Sequence, residues 1–90
     1  MKAQDLQAIQ SFKEKLENEY DWPSLYTFKF IVPIDKKDEI KKIFVKHDVS
    51  EKQSSKGNYI SITSKVMASS SDTIVEYYLE ANKVEGVIAL

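Results

Sequence analysis

The run Ser54-Ser55-Lys56-Gly57-Asn58-Tyr59-Ile60-Ser61-Ile62-Thr63 constrains the fold more than any other segment, because a glycine-bearing turn leads straight into a strand that alternates apolar and hydroxylated side chains. Glycine and asparagine accept positive φ without strain, so the chain is expected to reverse at Lys56-Gly57-Asn58, pairing residues 49–56 with residues 58–67 as an antiparallel hairpin. In the second arm Ile60, Ile62 and Val66 share one face, and Tyr59, Ser61, Thr63 and Lys65 the other. The first arm, Val49-Ser50-Glu51-Lys52-Gln53-Ser54, is polar enough to suit the edge of a sheet, where charge blunts pairing with another chain.

The remaining segments supply a sheet and helices to cover it. Over residues 3–20, Leu6, Ile9, Phe12, Leu16 and Tyr20 recur at steps of three and four, the spacing of one helix face. Lys13 interrupts that stripe, although its stem can lie on apolar surface while the ammonium reaches water. The sequence Asp21-Trp22-Pro23-Ser24 stops the helix, since the residue before a proline is driven out of the helical region. Residues 25–32 are rich in aromatic and β-branched side chains, with Tyr26, Phe28, Phe30 and Val32 on one face and Thr27 and Lys29 on the other. Pro33 closes that strand. Asp35, followed by Asp38 and Glu39, marks a helix start ahead of Ile40, Ile43 and Phe44, and this helix is expected to reach about Lys46. Ser69, Ser70 and Ser71 offer N-cap oxygens, with Asp72 an acid for the dipole of a helix that carries Ile74, Tyr77, Tyr78 and Ala81 and ends near Asn82. The apolar residues 84–90 read as a last strand.

After the first helix the order is therefore strand, helix, strand, strand, helix, strand. Right-handed crossovers interleave two such units into a four-stranded antiparallel sheet with both helices on one face, the α+β ferredoxin-like βαββαβ sandwich. The first and third strands, with the cleanest apolar patterns, belong at its centre. A chain of 90 residues buries only about two thirds of its unfolded surface, which suits one layer of helices on one sheet. Residues 1–21 are read as a helical extension and residues 22–90 as the sandwich.

Composition narrows the chemistry. All 13 basic residues are lysines, against 14 acids, for a net charge of −1. Without arginine the chain lacks the side chain best suited to bidentate recognition of phosphate or guanine, so nucleic-acid binding is disfavoured. With no cysteine there is no disulfide, thiolate metal site or cysteine nucleophile. His47 is the only histidine and reads as a residue capping a helix C-terminus rather than a general base or ligand. Neither a metal site nor a cofactor is expected. Gly57 beside Lys56 lacks the strand-loop-helix context of a phosphate loop, so a turn glycine is the simpler explanation. Lys36, Lys37, Lys41, Lys42 and Lys46 read as a solvated helix face balanced by Asp35, Asp38 and Glu39. The start of the chain lacks the apolar core of a signal peptide, and no stretch is long enough to span a bilayer, so a cytoplasmic location is expected.

Trp22-Pro23, Tyr26-Thr27-Phe28-Lys29, the hairpin residues Ser54-Ser55-Lys56-Gly57-Asn58-Tyr59 with Ser61, and the apolar C-terminal strand together resemble the bacterial domain-of-unknown-function family 493, the YbeD-like proteins. The resemblance runs from about Trp22 to Leu90. It implies a ferredoxin-like fold similar in shape to amino-acid-sensing ACT regulatory domains, and a link by name to lipoate metabolism. The chain departs from the family's pattern in its N-terminal helix and in Pro33, where members more often turn at glycine.

The leading expectation is a non-enzymatic regulatory or adaptor domain that binds a protein partner or a small metabolite. Thr27, Lys29, Tyr59, Ser61, Thr63 and Lys65 would form its binding surface on the sheet face opposite the helices. The hairpin turn of Ser55, Lys56, Gly57 and Asn58 is the family mark. The stripe of Leu6, Ile9, Phe12 and Leu16 must bury itself on its own chain, on a second copy in a homodimer, or on a partner. The alternative is a small enzyme acting on an acyl group or phosphate, against which stand the missing arginine and cysteine and the lone histidine. RNA binding ranks third, because Tyr59 is the only aromatic residue in the surface set.

Overall fold

The structure, a computed structural model, describes residues 6–54 and 56–90, with side chains from Gln7 onward. It contains α1 (Leu6–Glu19), β1 (Ser24–Pro33), a 3-10 turn (Ile34–Lys36), α2 (Lys37–Ile43), β2 (Val49–Gln53), β3 (Tyr59–Ala68), α3 (Ser71–Ala81) and β4 (Ile88–Ala89). The strands form one antiparallel sheet in the order β2-β3-β1-β4. After α1 this is a ferredoxin-like sandwich, with β1 and β3 at the centre and the polar β2 on an edge.

The centre of the sheet is a ten-residue ladder from Ser24 opposite Ala68 to Pro33 opposite Tyr59. Its period of two sends Phe28, Phe30 and Val32 of β1, and Ile60, Ile62 and Val66 of β3, into a core closed by Ile40, Phe44, Ile74 and Ala81. Phe28 packs against Phe44 and Tyr77, with ring centroids at 5.5 and 5.0 Å, and those two rings stack on each other at 5.1 Å. Ser64 is the one polar residue on the buried face of β3, and its hydroxyl donates to the Asp48 carbonyl at 2.9 Å. That bond offsets the cost of burying a hydroxyl.

Of the stripe on α1, Phe12, Leu16 and Tyr20 pack within the chain, and Ile9 is half-buried. Leu16 is 3% exposed and belongs to the core. Phe12 meets Tyr78 edge to face at 5.5 Å, and Tyr20 packs against both Trp22 and Tyr26. Lys13 pairs with Asp72, and the Ser71 hydroxyl donates to Glu17. Thus α1 lies beside α3 and adds a third helix to the helical layer.

Several element ends differ from the sequence reading, among them that of β2, which stops at Gln53 rather than at residue 56. The α2 helix stops at Ile43 rather than near Lys46, because Phe44 leaves helical geometry at φ −107° and ψ 32° while its ring stays in the core. Its start is also different: Asp35 caps nothing, and the helix is entered through the 3-10 turn after Pro33, with no side-chain cap. The last strand is two residues long rather than seven. Residues 84–87 form a turn in which Val84 N–H donates to the Ala81 carbonyl and Val87 N–H to the Val84 carbonyl, with Gly86 at φ +82°. Burying Val84 under the end of α3 is what this segment does with its first apolar residue, so the pairing begins only at Ile88.

Candidate binding face

The pairing that buries one side of the sheet defines the other residue by residue. Leu25, Thr27, Lys29 and Ile31 of β1 stand opposite Met67, Lys65, Thr63 and Ser61 of β3, and Pro33 stands opposite Tyr59. Ser50 and Lys52 of β2 join them through Thr63 and Ser61, and Ile88 of β4 joins through Ile31. Leu90 continues β4 by donating its N–H to the Lys29 carbonyl at 2.9 Å, so its side chain falls on the same face. The structure therefore gathers Thr27, Lys29, Tyr59, Ser61, Thr63 and Lys65 on one surface. None of the three helices covers it.

The sequence reading missed the apolar part of this face. Seven large apolar side chains are exposed among the described residues, and five of them, Leu25, Tyr59, Met67, Ile88 and Leu90, are here at 46–62% exposure. Leu25 and Met67 form a cross-strand pair at one end. Ile31, Ile88 and Tyr59 occupy the other. Between the ends run the Thr27–Lys65 and Lys29–Thr63 pairs. The signal for Leu25 and Met67 was present in the sequence, since each lies two residues beyond a residue already assigned outward. Ile88 and Leu90 could not be placed without the register of β4.

Charge is segregated by the same alternation. Glu51 is the only acid in any strand of the described residues, and it faces the helices, where Lys41 lies at 2.7 Å and Lys37 at 3.5 Å. The hydrogen bond and charge of Lys41 hold the Glu51 carboxyl below its usual range. The basic run on α2 is thus neutralised partly by Glu51 and by a Lys36–Glu39 pair, where the sequence suggested Asp35, Asp38 and Glu39. Lys29, Lys52 and Lys65, by contrast, form no ion pair among the described residues. At the β2 edge a recess of about 560 Å³ carries Lys65, Thr63 and Ser50 together with Lys46, His47 and Asp48.

The remaining sequence candidates have structural partners. Gly57 takes φ +74°, as a turn glycine does, and its N–H donates to the Ser54 carbonyl at 3.0 Å rather than pointing at an anion. Asn58 accepts from Ile34 N–H through its carbonyl, Lys56 is exposed, and Ser55 and the Leu6 side chain lie outside the described residues. His47 does not cap α2, which ends four residues earlier. Its Nε2 meets the Tyr77 hydroxyl at 3.2 Å. Ser70 accepts from Thr73 N–H as the N-cap of α3, and Ser71 is held by Glu17. A wider groove of about 710 Å³ separates α2 from α3, and its Lys83 is paired with Glu80 at 3.0 Å. Among the described residues no three His, Cys, Asp or Glu side chains are grouped to hold a metal ion, and no helix is long and apolar enough to cross a membrane.

Residues 17–90 match the family described as "Protein of unknown function (DUF493)". The chain belongs to that YbeD-like family. The match begins inside α1 at Glu17, the residue that ties this helix to Trp22 and Ser71, and it takes in the whole of the sheet. Comparison with curated proteins and with solved structures found no match.

Proposed function

We propose that this YbeD-like chain is a non-enzymatic regulatory or adaptor domain that works in the cytoplasm by binding a protein partner through the open face of its sheet. The observation that carries this reading is the concentration of exposed large apolar side chains on a face that also presents three lysines with no ion pair among the described residues. Single exposed apolar residues are ordinary, whereas five on one face, interspersed with polar side chains, are the composition of an interaction surface. Of the six outward residues read from the sequence, Thr27, Lys29, Thr63 and Lys65 lie in its middle and Ser61 and Tyr59 at one end. The apolar stripe of α1 supports the same choice, because Phe12 and Leu16 are occupied by α3 and the core and leave the sheet as the uncovered surface.

The test compares capture by the wild-type chain from its native lysate with capture by two variants. Tyr59→Ala with Lys65→Ala alters the open face, and Lys15→Ala with Lys42→Ala alters the helical layer. A protein retained by the wild type and the helical variant but lost with the open-face variant is the expected result. Loss with the helical variant alone would move the site to the other side of the molecule.

A further inference from the structure

We infer that the occupant of the open face is an acidic protein segment with aliphatic side chains at both of its ends, a reading that rests on the binding role proposed for that face. The argument is one of charge and shape. In register the face carries Lys29, Lys52 and Lys65, with Lys46 at the rim of the adjoining recess, and no strand contributes an acid to it. The single acid of the sheet, Glu51, is turned to the helices and engaged there by two lysines. Asp48 lines the same recess as Lys46 and Lys65. A surface that gathers one sign of charge and leaves it unneutralised recruits the opposite sign.

That arrangement separates four candidate occupants. A second copy meeting the first face to face would set the lysines of one against the lysines of the other, which like-charge repulsion opposes. An RNA strand would need aromatic platforms along its path, and the middle of the face offers threonine and lysine, with Tyr59 at one end only. A bilayer would favour apolar residues in the middle and lysines around them, so that the stems reach outward to the headgroups. Here the order along the two central strands is reversed: Leu25 and Met67 lie at one end, Ile31 and Tyr59 with Ile88 of β4 at the other, and the lysine and threonine pairs between, with Leu90 beside Lys29 at the β4 edge. An acidic segment with an apolar residue at each end satisfies all three parts. The ends are separated by the six steps of chain from Leu25 to Ile31, roughly 20 Å at strand spacing, a distance that about 14 residues of helix would cover.

The experiment selects a displayed library of random peptides of about 14 residues against the full chain, and maps the recovered peptides by amide chemical shifts. The expected result is peptides rich in Asp and Glu between aliphatic ends, which shift the outward residues of β1 and β3. Their affinity should fall about tenfold in the Lys29→Gln, Lys65→Gln variant, and comparably as salt is raised to roughly 0.5 M. Peptides that bind this face without acidic enrichment, or with no response to lysine replacement, overturn the acidic assignment while leaving the binding face in place. Tighter binding to vesicles of phosphatidylcholine and phosphatidylglycerol, or to single-stranded polyuridine RNA, overturns the protein occupant. Recovery of binders only at another surface, or of none, overturns the binding face itself.

Discussion

The Ser71 hydroxyl donates to the Glu17 carboxylate at 2.6 Å, joining α1 to the first turn of α3 across 54 positions of sequence. The second oxygen of Glu17 accepts from the Trp22 indole N–H at 2.9 Å, so one carboxylate holds the helix at both its neighbours. Ser71 is buried, and an unmatched hydroxyl there would keep its desolvation cost. Glu17→Ala should therefore destabilise the chain by about 1–3 kcal/mol, and Leu16→Ala, which opens a cavity under the same helix, by about 2–5 kcal/mol. Urea unfolding followed by circular dichroism measures both. If α1 were a loosely held arm, neither substitution would move the midpoint.

Two glycines at positive φ are expected to differ in their tolerance of alanine. A Cβ at Gly57 would come within 3.0 Å of the Gln53 side-chain amide, the free end of a flexible side chain. A Cβ at Gly86 would come within 2.8 Å of Pro33 Cγ, part of a ring that cannot swing aside. Gly57→Ala should cost about 1–2 kcal/mol from backbone conformation alone. Gly86→Ala should cost more, and should displace Ile88 and Leu90 from the open face. Unfolding midpoints, together with the amide shifts of Ile31 and Ile88, check the order.

The pH dependence of stability should have limbs of known sign. Burial, followed by the 2.9 Å hydrogen bond with Tyr26, pushes the Tyr78 phenol above its ordinary value of 10.0. The folded chain thus favours the neutral phenol, so the contribution is complete below pH 10.0 and is lost as pH rises toward the folded-state value. Tyr78→Phe should flatten the alkaline limb, seen as a later rise of tyrosinate absorbance on unfolding. On the acid side the Glu51 carboxyl is lowered from 4.5, chiefly by its hydrogen bond with Lys41, so its contribution is present above pH 4.5 and lost as pH falls below it. Both partners reach solvent, so Glu51→Gln should flatten that limb only slightly, and added salt should mask the difference.

The helix-facing half of the sheet was legible because a buried face demands strict alternation: Phe28, Phe30, Val32, Ile60, Ile62 and Val66 all point inward as their spacing requires. Local chemistry likewise marked the start of α3 at Ser69, Ser70 and Ser71, of which Ser70 is the N-cap. What stayed hidden depended on contacts between distant segments. The docking of α1 rests on Glu17 reaching Ser71, and the apolar end of the open face rests on the register of Ile88 against Ile31. Neither pairing leaves a periodic trace in the sequence. The early end of α2 is a tertiary effect as well, since Phe44 breaks the helix to keep its ring against Phe28 and Tyr77, leaving Val45 79% exposed.

The pair Leu25 and Met67 offers the sharpest separation of binding from folding. Each is more than half exposed, and they face one another across the β1–β3 ladder at the end of the sheet away from the hairpin. Replacing both with serine removes apolar surface from one end of the binding face and one cross-strand contact, a change of about 1 kcal/mol or less in stability. Phe28→Ala, on the opposite side of the same strand, should cost about 3–5 kcal/mol because Phe28 is fully buried. If the open face binds through apolar ends, Leu25→Ser with Met67→Ser should abolish peptide or partner binding while the urea midpoint hardly moves. A large loss of stability would instead mean that this pair holds the sheet together, and unchanged binding would place the contact at the Ile31, Ile88 and Tyr59 end.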